Sequence, residues 1–178
     1  MVAPSDRDRQ LMQLALREAA KGVGRTSPNP CVGAVVVKND EVVSRGYHRQ
    51  AGTPHAEVNA LDAAGEQARG ATLYVTLEPC NHQGRTPPCT ERILAAGVKR
   101  LVVGMNDPNP LVKGGGNAYL SSRGLEVVAG VLADESRALN RPFVKHIQSG
   151  RPWVIMKAGM SVDGRIATRT GHSQWITG

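Results

Sequence analysis

Val32-Gly-Ala-Val-Val-Val-Lys-Asn-Asp-Glu-Val-Val-Ser-Arg-Gly-Tyr47 reads as two strands and a turn. Val32 to Val37 is apolar at both odd and even positions, as a strand buried on both faces must be. Lys38-Asn-Asp-Glu41 has turn composition, so Val42 to Tyr47 returns as the second strand of a hairpin. On the N-terminal side, Ser5 or Asp6 caps a helix running to about Lys21. Leu11, Leu14, Ala15, Ala19 and nearby Leu16 supply its inward face, and Gly22 ends it. On the C-terminal side helix and strand alternate. Ala56 to about Ala68 is predicted helical, Ala71 to Leu77 a buried strand, Thr90 to Ala96 helical and Arg100 to Gly104 a strand. Gly116 to Ser122 follows as helix, Leu125 to Val128 as strand and Ala133 to Gln148 as helix. That alternation predicts an α/β sheet covered on both faces. The hairpin makes one pair antiparallel, so the sheet is mixed.

A boundary is predicted near Ser149-Gly150-Arg151-Pro152, dividing the chain into 1–148 and 149–178. Trp153 to Ala158 then reads as a fresh strand with little chain left to cover it. At 178 residues the protein can bury a real core without disulfides. No apolar run approaches the ~20 residues of a membrane span, and the first residues lack the apolar stretch of a signal peptide. A cytoplasmic protein without a membrane partner is expected. The net charge of +7 favours an anionic partner. Sixteen of the 22 basic residues are arginines scattered from Arg7 to Arg169, and no block of five like charges occurs. Aromatics make up 3%, too few for a base-stacking platform. A small phosphorylated ligand therefore fits better than a nucleic acid.

The chemistry lies in His55-Ala-Glu57 and, 22 positions after Glu57, Pro79-Cys80, with Cys89 beyond. One imidazole and two thiolates are three ligands for a tetrahedral zinc ion, leaving one position open, as catalytic sites do. Zinc lowers the pKa of a bound water from about 15.7 to about 7. Glu57, two residues from His55, is placed to take that proton without being a ligand. Zinc deaminases carry His-x-Glu followed by Pro-Cys-x-x-Cys. Thr53-Pro-His-Ala-Glu-Val58 and Leu77-Glu-Pro-Cys80 match this pattern, but eight residues separate Cys80 from Cys89 instead of two. Singly, each cysteine is more often core than ligand; together with His-x-Glu in the right order they favour zinc. Cys31 opens the first buried strand and reads as core packing.

The intervening loop, Cys80-Asn-His-Gln-Gly-Arg-Thr-Pro-Pro-Cys89, is itself specific. With Pro28-Asn-Pro-Cys-Val-Gly33, Gly46-Tyr-His-Arg-Gln-Ala-Gly52 and Asp107-Pro-Asn-Pro110, it resembles the bacterial bifunctional riboflavin biosynthesis family, the RibD deaminase/reductases. Lys157-Ala-Gly-Met-Ser-Val-Asp-Gly-Arg-Ile-Ala167 and Ser173-Gln-Trp-Ile-Thr177 resemble the opening of that family's reductase domain. The resemblance implies a cytidine deaminase-like three-layer αβα sandwich with a mixed central sheet. It implies hydrolytic deamination of a phosphoribosylamino-pyrimidinone, with His55, Cys80 and Cys89 on zinc and Glu57 moving protons. It suggests Asn29, His48, His82, Arg85, Asp107 and Asn109 as substrate contacts, with Arg85 toward the phosphate. Asn29, Asp107 and Asn109 read equally as turn residues.

Lys157, Asp163, Ser173 and Trp175 match reductase positions that would meet NADP(H) or substrate, in a site too short to be complete. Trp153, Ile155 and Trp175 are expected to be partly uncovered. Lys113-Gly-Gly-Gly116 looks like a phosphate loop without P-loop spacing. A homo-oligomer stays open. Two other readings compete: a nucleoside, nucleotide or tRNA deaminase on the same fold, and a nucleic-acid module with structural zinc. The long cysteine loop argues against the first, and three ligands beside a carboxylate argue against the second.

Overall fold

The computed structural model describes residues 4–82, 87–109 and 115–174. Helix α1 spans Asp6–Ala20. Ser5 is its N-cap: the Ser5 hydroxyl accepts the Asp8 N–H at 3.1 Å, and the Asp8 carboxylate accepts the Ser5 N–H at 2.9 Å. This reciprocal capping satisfies two N–H groups that a helix start leaves without partners. Strands β1 (Gly33–Lys38) and β2 (Glu41–Tyr47) form the expected hairpin. Asn39 and Asp40 both take positive φ, 50° and 68°, which a tight two-residue hairpin turn demands.

Helix α2 (Ala56–Ala64) ends at Gly65, whose φ is +54°, and a short 3-10 turn carries the chain to Ala68. Strand β3 (Thr72–Leu77), helix α3 (Cys89–Ala95), strand β4 (Arg100–Met105), helix α4 (Gly116–Ser122) and strand β5 (Glu126–Ala129) follow. Helices α5 (Ala133–Leu139) and α6 (Arg141–Ser149) close the folded part.

The five strands lie in the order β2-β1-β3-β4-β5. β1 is antiparallel to β2 and also to β3, while β3, β4 and β5 are parallel. The sheet is mixed as expected, with two antiparallel pairs instead of one. Side chains alternate between two cores. Ala34, Val36, Leu73, Val75, Leu101 and Val103 pack with Ala60 and Leu61 of α2, Ile93 of α3 and Leu120 of α4. Val35, Val37, Tyr74, Val102 and Val128 pack with Leu11, Met12 and Ala15 of α1. The result is the three-layer αβα sandwich.

Because both faces of β1 are apolar, alternation alone would tolerate a slipped register. Two glycines remove that freedom. A Cβ on Gly33 would run into the Ala15 carbonyl oxygen of α1. A Cβ on Gly46 would lie 2.5 Å from the Ala60 nitrogen of α2. The helices therefore sit directly on the sheet, with alanines facing glycines. α2 in particular is locked over β2, which fixes where its first residues point.

Two expectations fail for physical reasons. The single helix predicted from Ala133 to Gln148 is broken at Asn140, whose side chain bonds the backbone of Cys31, 109 residues away in sequence. Trp153 to Ala158 forms no strand. A strand needs a neighbour, and the described residues offer it none. Trp153 and Ile155 are exposed, as expected, at 41% and 79%. Trp175 lies outside the described residues.

Candidate metal centre and active site

The C-terminal ends of β3 and β4 open beside the N-terminal end of antiparallel β1. Open α/β sheets bind ligands at such places. Residues 29–32 enter β1, residues 48–55 join β2 to α2 and Glu57 follows in its first turn, and residues 78–82 and 106–109 leave β3 and β4. Together they line a cavity of about 230 Å³.

His55 is the N-cap residue of α2, and Cys89 is the first residue of α3. Cys80 lies in the loop before α3, where its Sγ accepts the Cys89 N–H at 3.3 Å. His55 Nδ1 lies 3.1 Å from Cys89 Sγ and 3.6 Å from Cys80 Sγ. All three ligand atoms fall within 4.8 Å of one another. Tetrahedral zinc with ordinary bond lengths places sulfur and nitrogen ligands about 3.5–3.8 Å apart. The triad fits that ion in spacing, and thiolate with imidazole fits it in chemistry. The Cys89 and His55 hydrogen bonds pull the Cys80 thiol down to about 4. Bonding to Cys80, and then burial, push Cys89 up.

Glu57, in the first turn of α2, is 3% exposed. Burial pushes its carboxyl up to about 7, against the opposing pull of His55. It lines the cavity together with His55 and Cys80. Cys89 is buried behind them at 1% exposure.

The expected substrate contacts gather on the same cavity. Asn29, His48, His82, Asp107 and Asn109 all line it. Asn29 is held in a turn by its N–H on the Thr26 carbonyl at 2.7 Å. Its Nδ2 lies 3.1 Å from His48 Nε2, and His48 Nδ1 lies 3.2 Å from the Pro54 carbonyl. A carbonyl can only accept, so Nδ1 carries the hydrogen and Nε2 receives the Asn29 amide. Burial lowers the His48 pKa and favours this neutral form. His48 is buried. Asp107 and Asn109 serve the turn as well, because Asp107 Oδ1 accepts the Asn109 N–H at 2.9 Å. Burial raises the Asp107 pKa.

Arg85, Lys113 and Trp175 lie outside the described residues. Lys157, Asp163 and Ser173 are exposed on an irregular segment and do not line this cavity.

Sequence reasoning missed Glu78, Pro30 and Phe143, which also line the cavity. Glu78 accepts the Asp107 N–H at 3.1 Å and the Asn117 N–H at 3.0 Å, tying the β4 loop and the start of α4 to the segment bearing Cys80. Its position directly before Pro79-Cys80 was the one available signal. Phe143 has no local signal, since it arrives from α6. Gly116 completes the arrangement: a Cβ there would strike the Pro79 carbonyl oxygen.

Residues 5–105 match the family model for the cytidine and deoxycytidylate deaminase zinc-binding region. The chain belongs to that family of zinc-binding deaminases. Within it, the chain is similar to the riboflavin biosynthesis protein RibD. It is 55% identical to RibD of Aquifex aeolicus over 170 residues, covering 96% of this chain and 48% of the relative. Its fold matches a diaminohydroxyphosphoribosylaminopyrimidine deaminase/5-amino-6-(5-phosphoribosylamino)uracil reductase of Thermotoga maritima with TM-score 0.91 and 44% identity. That match covers 97% of this chain and 50% of the other. RibD of Acinetobacter baumannii matches with TM-score 0.89 and 51% identity, over 97% of this chain and 48% of the other. Residues 152–178 match the RibD C-terminal domain. The chain spans about half the length of the curated relatives it matches.

Proposed function

We propose that the chain deaminates 2,5-diamino-6-(5-phosphoribosylamino)pyrimidin-4(3H)-one to 5-amino-6-(5-phosphoribosylamino)uracil. Water is consumed and ammonia leaves. The observation that carries this reading is the His55, Cys80 and Cys89 triad beside buried Glu57, in a chain half identical to RibD. The three ligands hold zinc, which when bound supplies a Lewis acid that lets water attack near neutral pH.

The other work falls to the chain. Glu57 takes one proton from the attacking water and delivers it to a ring nitrogen, then takes the second proton from the hydroxyl now on the ring carbon and passes it to the amine, which leaves as ammonia. Asn29, with one amide hydrogen engaged by His48, offers its oxygen and second hydrogen to the edge of the pyrimidine. Leu77, Val32 and Phe143 line the cavity with apolar surface and exclude bulk water. His82 sits at the cavity mouth. Arg85, between the two cysteines in sequence, is our candidate for the phosphate, through its planar fork of donors.

We assign residues 1–148 to the deaminase unit and 149–178 to the start of a reductase unit. The NADP(H)-dependent reduction belongs to a full-length relative, where Lys157, Asp163, Ser173 and Trp175 would join a complete site. The partner is a phosphorylated small molecule and not nucleic acid. No described helix is long and apolar enough to cross a membrane; we place the protein in the cytoplasm.

The test is ammonia release from the phosphoribosylamino-pyrimidinone, with cytidine and a tRNA anticodon stem as controls, before and after zinc removal. Zinc-dependent release from the pyrimidinone alone supports the assignment. Release only from a control moves the chain to another branch of the deaminase family.

A further inference from the structure

The segment that carries Asn29 into β1 runs along the cavity wall beyond the β1–β3 ladder. That ladder reaches Ala34 opposite Val75. The Gly33 N–H goes instead to the Thr76 hydroxyl at 3.1 Å. Two residues earlier, the backbone of Cys31 finds both its partners in one side chain. Asn140 Oδ1 accepts the Cys31 N–H at 2.7 Å, and Asn140 Nδ2 donates to the Cys31 carbonyl at 3.0 Å. A neighbouring antiparallel strand residue would exchange the same two bonds with Cys31. The Asn140 amide also donates to the Ser136 carbonyl at 3.3 Å. Asn140 is 2% exposed. With its donors and acceptor engaged in the protein, it is not a substrate contact.

The opposite side of the segment is held by His48, whose N–H donates to the Val32 carbonyl at 2.9 Å. The loop presenting Asn29 is therefore clamped from two sides. Asn140 also sits at the break between α5 and α6, three residues before Phe143 of the cavity wall.

We propose that Asn140 is a positioning residue: its amide stands in for a missing strand neighbour of Cys31 and so sets how Asn29 meets the substrate. This rests on reading Asn29 as a substrate contact.

The test compares Asn29→Ala, Asn140→Ala, Asn140→Asp and the Asn29→Ala/Asn140→Ala pair in the zinc-loaded chain. Asn140→Asp keeps the size and the Cys31 N–H bond but turns an oxygen toward two carbonyls. Each Asn140 variant should raise KM about tenfold while kcat stays within about threefold and zinc content is unchanged. In the Asn29→Ala background, removing Asn140 should cost less than about twofold, because both act through one contact. Amide hydrogen exchange of residues 29–33 should quicken in both Asn140 variants, whether or not substrate turns over.

Unchanged exchange at 29–33 would overturn the proposal. So would full multiplication of the two KM effects, or a joint loss of kcat and zinc that marks general unfolding. An unchanged KM in Asn29→Ala would instead remove the substrate-contact reading, and the role given to Asn140 with it. A KM effect of Asn29→Ala without one from Asn140 would remove the Asn140 role alone.

Discussion

Asp8→Asn tests the anchor that holds α1, and through Gly33 the start of β1, against the sheet. Asp8 is 2% exposed, and Arg100, Tyr74 and Ser5 all donate hydrogen bonds to its carboxylate. Arg100 Nη1 and Nη2 donate to its two oxygens at 2.7 and 3.1 Å, and the Tyr74 hydroxyl donates at 2.9 Å. The Ser5 N–H completes the capping box at 2.9 Å. Arg100 beside it holds the Asp8 carboxyl far below the usual carboxylate range. The asparagine keeps the shape, loses the charge and places an amide N–H₂ where one oxygen accepted. One charge-assisted hydrogen bond contributes about 1.5–3 kcal/mol. Arg100 remains 21% exposed and keeps Glu126 at 2.9 Å, so its isolation is incomplete. A loss of roughly 2–3 kcal/mol follows.

For a chain of this size that lowers Tm by roughly 4–12 °C in calorimetry at pH 7. The sign with pH is fixed. A carboxylate whose folded pKa is depressed gives its full stabilisation above its unfolded pKa of about 3.9 and loses it as pH falls toward the folded value. The gap between wild type and Asp8→Asn should be flat from pH 5 to 8 and should narrow below about pH 4. A gap under about 0.5 kcal/mol at pH 7, or one that widens in acid, would refute the reasoning.

Cys80→Ser exchanges a thiolate for a hydroxyl that zinc holds poorly; purified protein should carry far less zinc, and chelation should inactivate it sooner than wild type. Gly116→Ala drives a methyl into the Pro79 carbonyl beside Cys80, and should weaken zinc affinity about tenfold in competition titrations with a chromophoric chelator.

Local signals made much of the fold legible. The hairpin was readable because Asn39-Asp40 tolerates the positive φ of its turn. α1 was readable from Ser5 and its apolar spacing, although Met12, fully buried, escaped notice. The second antiparallel pairing of β1 was not readable, since nothing in Thr72–Leu77 names its neighbour. The break at Asn140 did carry a signal: Pro142 has no N–H to bond back to the Ala138 carbonyl and belongs in the first turn of a new helix. The contact of Asn140 with Cys31, distant in sequence, had none. In the site, the gathering of His55, Cys80 and Cys89 with Glu57 nearby was legible because these residue types in this order are rare. Glu78 and Phe143 were not, because a carboxylate that bonds backbone N–H groups and an aromatic ring on a cavity wall look like any others in sequence.

Glu57→Gln addresses the account most directly. The variant keeps the shape and the buried position of Glu57, and leaves His55, Cys80 and Cys89 untouched. Zinc content and ammonia release from the phosphoribosylamino-pyrimidinone are measured on the same preparation. The account predicts wild-type zinc content with turnover reduced by about 10²–10⁴-fold. Near-normal turnover with zinc bound would contradict the role of Glu57 in moving protons.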